Sequence, residues 1–119
     1  MVLVDTSVWV DHLRKGSAAL RRLLLDEQVL GHPFVVGELA CGNLRNREEI
    51  LVLLRALPQA QPAEHEEVLQ LVDSERIHGQ GVGWVDAHLI ASALISRCTL
   101  WTLDTRLNRV AKSLSIQLR

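Results

Sequence analysis

The stretch Trp84 to Asp104, WVDAHLIASALISRCTLWTLD, decides how the rest of the chain is read. At about 100° per residue, Val85, Leu89, Ile90, Ala93 and Leu94 gather into one apolar stripe of a helix, and Asp86 falls inside it. The helix is expected to end around Ser96-Arg97-Cys98. Thr99 to Leu103 then reads as a short buried strand that delivers a second acid, Asp104, at its C-terminal end. Two carboxylates on the apolar side of one helix and strand require a cation, a proton or a basic partner, because an ionised acid buried alone is costly.

Working outward, the N-terminus repeats the pattern. Val2, Leu3 and Val4 form an apolar run ending in Asp5, and Thr6-Ser7 leads into a helix extending to about Arg14. Ser17 caps a second helix carrying Leu20, Leu23 and Leu24, and Gln28 to Leu30 reads as another short strand. Pro33 is suited to the first position of a helix running to about Cys41, within which Glu38 is the only charged residue. Asn46 and Glu49 have the spacing of a capping box for a helix with Ile50, Leu51, Leu53, Leu54 and Leu57 inward. Glu64 to His78 is strongly helical, with Val68, Leu69, Leu71 and Val72 inward. Gly79, Gly81 and Gly83 precede the helix of Asp86. Leu107, Val110, Ala111 and Leu114 mark a last helix, and Ser115 to Leu118 an edge strand.

Short apolar strands alternating with helices predict a three-layer α/β/α sandwich around a mainly parallel sheet, and 119 residues fit one domain, 1–119. In such folds ligands gather at the carboxyl ends of strands, where Asp5 and Asp104 are expected. Hydrophobic residues make up 48% and charged residues 23%, which excludes an intrinsically disordered chain. No run reaches the roughly 20 apolar residues of a membrane span, and Met1 leads into a strand; no membrane is expected, and the cytoplasm is the expected location. Cys41 and Cys98 have no nearby partner and read as small core residues. A net charge of -1 leaves any nucleic acid to be drawn by local arginines or metal.

The chemistry rests on Asp5, Glu38, Asp86 and Asp104, each at the end of an apolar strand or inside an apolar helix. At about 5 Å and an effective dielectric near 20, each ionised pair would repel by roughly 3 kcal/mol. Mg²⁺ or Mn²⁺ would remove that penalty, since hard cations favour oxygen ligands, and would activate water against a phosphodiester. The structural alternatives are a turn or cap at Asp5, an N-cap at Asp104 and an arginine pair for Glu38; none of them accounts for Asp86.

These four blocks, VLVDTSVWV, VVGELACG, GVGWVDAHLIASAL and LWTLDTRLNRVA, resemble in order and spacing the acidic motifs of PIN-domain ribonucleases, particularly the toxins of VapBC-type toxin-antitoxin pairs. The resemblance implies a Mg²⁺- or Mn²⁺-dependent endoribonuclease that inhibits growth when free, and an antitoxin partner that blocks the site. It implies that Asp5, Glu38, Asp86 and Asp104 hold metal, with Thr6 or Ser7 and Thr102 supporting them. In one departure, His32-Pro33 stands where the family commonly has Ser or Thr before the glutamate.

Arg106 and Arg109 are candidates for RNA phosphate, weighed against ordinary solvated surface. His88 lies roughly 200° round the helix from Asp86, so it cannot face the same metal and is expected at or near the surface. Trp9, Trp84 and Trp101 read as core anchors rather than base-stacking residues. Leucine-rich helices at 17–25 and 47–57 suggest a homodimer or a surface for an antitoxin helix. Two other readings stay open: a Mg²⁺-dependent phosphoryl-handling domain of the phosphatase or receiver type, and a non-catalytic dimerising scaffold.

Overall fold

The computed structural model describes residues 1–118. Three short strands, β1 (Val2–Val4), β2 (Val29–Leu30) and β3 (Thr99–Trp101), form a parallel sheet in the order β2-β1-β3. Register pairs Val2 with Val29 on one side and with Thr99 on the other. All three residues of β1 are buried, as a central strand covered on both faces demands. The chain leaves β1 for β2 on one side and returns past it to β3 on the other. Crossovers running in opposite directions from a central strand lay helices on both faces.

Among the described residues seven helices do this: α1 (Thr6–Lys15), α2 (Ala18–Leu25), α3 (Pro33–Ala40), α4 (Arg47–Ala56), α5 (His65–Ser74), α6 (Trp84–Ser96) and α7 (Thr105–Ser113). Helix α6 is the most enclosed, since every residue from Ala87 to Ala93 is buried. It packs against β3 and α5, while α3 packs against α1 and α4. Its apolar surface therefore runs all the way round rather than forming one stripe, as suits a helix with neighbours on several sides.

Several local expectations are corrected. β3 ends at Trp101, not Leu103, because the Leu103 N–H turns away to donate to Ser7 Oγ at 3.0 Å. The segment after α7 contributes single-residue pairing, Gln117 with Leu100, rather than a strand; Gly31 and Gln59 form a similar bridge beside β2. The Asn46-Glu49 capping box does not form: Asn46 is left-handed, at φ 52° and ψ 42°, and its side chain caps nothing. A box linking Glu64 and Glu67 opens α5 instead, the Glu64 N–H donating to Glu67 Oε1 at 2.8 Å. That helix stops at Ser74, short of His78, and Arg76 turns left-handed while Ile77 inserts into the core.

Trp9 is buried and Trp101 half-buried, but Trp84 is 41% exposed because it stands in the first turn of α6, beyond the core. Leu69 is exposed as well. Cys41, at the end of α3, is exposed rather than in the core; Cys98 is buried. His88 is buried, among rings rather than at the surface. Among the described residues no helix is long and apolar enough to cross a membrane.

Candidate active site

The carboxyl ends of β1 and β3 are adjacent, and four acids meet there. Asp5 follows β1, and its N–H donates to the Trp101 carbonyl at 2.9 Å, which ties it to the end of β3. Although it precedes α1, its side chain does not cap that helix. Asp5 Oδ2 instead accepts from Ser7 Oγ and from Thr102 Oγ1, each at 2.7 Å. The two hydroxyls lie 3.3 Å apart. Thr102 Oγ1 also accepts from the Asp104 N–H at 3.0 Å, so one buried hydroxyl orders both acids. Asp104 Oδ1 caps α7, accepting from the N–H groups of Arg106 and Leu107 at 2.9 and 3.0 Å.

Glu38 enters from α3 and accepts from Thr6 Oγ1 at 2.6 Å through Oε1. Among the described residues it has no arginine partner. Asp86, in the first turn of α6, is half-buried. Burial holds its carboxyl above the ordinary aspartate range, and the negative charges of Asp5, Asp104 and Glu38 add to the shift while the Gly83 backbone opposes it. Asp5, Asp104 and Glu38 thus all lie close enough to act on Asp86.

The donor set suits a hard divalent ion. All four groups offer oxygen, and in Asp5, Glu38 and Asp104 the hydrogen bonds fall on one carboxylate oxygen and, among the described residues, leave its twin free. Among the described residues, no three His, Cys, Asp or Glu side chains close into a ready-made metal cage.

Arg106 and Arg109 are exposed on α7, and the Arg106 side chain lies over Gly81. A row of rings runs alongside: His65 against Trp84, Trp84 against His88, His88 against Phe34 and Phe34 against His32, with centroids 4.6 to 5.3 Å apart. His32, a residue given no role from the sequence, caps α3: its Nδ1 accepts from the Phe34 N–H at 3.0 Å. With Nδ1 accepting, the proton sits on Nε2 and points to Ser92 Oγ, 3.0 Å away. Imidazole therefore does the work of the missing Ser or Thr. The unusual His-Pro pair was the only signal for it.

A parallel sheet with acids gathered at the switch point of its crossovers is the layout of a PIN domain, and the chain belongs to that family, whose profile matches residues 2–113. Over 108 residues it is 48% identical to Ribonuclease VapC32 in each of two strains of Mycobacterium tuberculosis, an overlap of 90% of this chain and 87% of that protein.

Proposed function

We propose that the protein is the toxin half of a VapBC-type pair, an endoribonuclease whose Asp5, Glu38, Asp86 and Asp104 hold Mg²⁺ or Mn²⁺. The observation carrying this reading is the tethering of Asp5, Glu38 and Asp104 by hydroxyl and backbone donors around the joined ends of β1 and β3, with half-buried Asp86 close enough to feel their charge. When bound, the divalent ion supplies positive charge that eases ionisation of water and steadies the phosphodiester as charge develops on it. Ser7 and Thr102 hold Asp5 in one rotamer, Thr6 holds Glu38, and the first turn of α7 holds Asp104. These contacts fix the free oxygens before substrate arrives.

No lysine serves a phosphoaspartate at this edge: Lys15, at the far end of α1, pairs with Asp11 at 3.3 Å, and Lys112 lies in the last turn of α7. The relative's name supports RNA as substrate and an antitoxin as partner. Exposed Leu25, Val52 and Leu53 on α2 and α4 favour a homodimer or an antitoxin contact there.

Asp5→Asn and Asp86→Asn should each lower Mg²⁺-dependent RNA cleavage by at least about 100-fold while circular dichroism stays unchanged. Full cleavage by both variants would remove the mechanism. In parallel, Mn²⁺ should raise the thermal midpoint of the parent protein, and Asp86→Asn should blunt that rise.

A further inference from the structure

Beside the acids lies an open trough of about 760 Å³, which Thr6 and Glu38 line together with Arg14, Leu44 and Arg45. One wall is a single face of α1, since Thr6, Val10, Leu13 and Arg14 recur at helical spacing. Arg14 lies eight helical steps beyond Thr6, so that wall runs about 12 Å from the acid crevice. The facing wall is the segment after α3, which includes Asn43, Leu44 and Arg45. It is tied down by Arg47, whose guanidinium donates twice to the Ala40 carbonyl at 3.1 and 2.9 Å. Left-handed Asn46 turns the chain from this segment into α4.

Charge sets the trough apart from the crevice. Its charged lining residues are Arg14, Arg45 and Glu38, and Glu38 stands where the trough meets the crevice. Both arginines are exposed, and among the described residues neither has an ion-pair or hydrogen-bond partner. Arg22, by contrast, is neutralised by Asp26 at 3.2 Å. The lining holds no aromatic ring, which argues against base stacking and for contact with a polyanionic backbone. On a chain of net charge -1, two free guanidinium groups flanking one groove give that groove a local attraction for phosphate.

We propose that this trough carries the single-stranded RNA beside the cleavage site, with Arg14 and Arg45 gripping successive parts of its phosphate backbone. The proposal rests on the ribonuclease reading and adds the path of the substrate. These residues position the strand and take no part in the bond-breaking step. Phosphate contacts fix the register of the strand without reading its sequence, so both arginines should matter equally for unrelated RNAs.

The test is fluorescence anisotropy with a labelled single-stranded RNA in EDTA, titrated at several salt concentrations, for the parent, Arg14→Ala, Arg45→Ala and a control, Arg22→Ala. The first two should each weaken binding about 3- to 10-fold and reduce the slope of log affinity against log salt by about 0.7, the value for one lost single-strand phosphate contact. In cleavage assays with Mg²⁺ they should raise KM and leave kcat unchanged. Arg22→Ala should match the parent. Equal affinity and slope in all four proteins overturns the proposal, as does a parent that binds no RNA or a loss confined to binding of an antitoxin peptide. RNA binding that depends on both arginines in a protein that cuts nothing would retire the ribonuclease reading and keep the trough; cleavage indifferent to them would do the reverse.

Discussion

Thr102 shows how much can hang on one hydroxyl. It donates to Asp5, accepts from the Asp104 N–H and is buried, so its loss would unfasten two acids at once. Thr102→Val keeps the shape and removes the hydroxyl. It should lower stability by about 1 to 3 kcal/mol in denaturant titrations and weaken Mn²⁺ binding about 10- to 100-fold. Thr102→Ser should restore most of both. If Val matched the parent in metal affinity, the hydroxyl would be a packing residue only. Asp86 is the counterpart with less to hold it: among the described residues no side chain bonds to it, the Gly83 backbone is its partner, and its acidic neighbours repel it.

Among the elements, the approach to α6 is where backbone conformation and site geometry meet. Gly81 has φ +79°, and an added Cβ would stand 2.5 Å from Arg106 Cδ, whereas Gly83, at φ -82°, has open space around it. Gly81→Ala should therefore cost about 1 to 2 kcal/mol of stability and displace Arg106, while Gly83→Ala should be nearly neutral in thermal unfolding. Equal effects would mean that the turn adapts freely. The same stretch shows what could be read from sequence. Short continuous apolar runs revealed the strands and runs of period 3.6 the helices, and the ends of the apolar runs pointed to Asp5 and, two residues past the true end of β3, to Asp104. Conformations chosen by tertiary contact left no such trace: Asn46 looked like a cap and turned left-handed, and Trp84 looked like core but projects past the last covered turn of its helix. The bond between His32 and Ser92 spans 60 residues, and no periodicity reports a partner so distant. The arginine-flanked trough was hidden for a similar reason, because Arg14 and Arg45 belong to separate elements that only the folded chain brings face to face.

At the scale of the whole molecule, His32 links the core to acidity. Burial, with His88 nearby, depresses its pKa from 6.5 to about 4. Between those values the unfolded chain takes up a proton that the folded chain refuses, so stability is complete above about pH 6.5 and is progressively lost as pH falls toward 4. The contribution amounts to at most roughly 3 kcal/mol. His32→Asn retains a group able to cap α3, lowers stability at neutral pH and should flatten this part of the acid slope. An unaltered slope would place the pH sensitivity elsewhere. The bond from Thr102 to Asp5 crosses 97 residues, and β1 lies between two strands made later than itself. During synthesis the first acid must therefore wait, without Thr102 and uncovered, until almost every other element has emerged and β3 has docked beside it. A half-made copy carries Asp5 and Glu38 but neither Asp86 nor Asp104, so the four-acid crevice comes into being only with the last third of the chain.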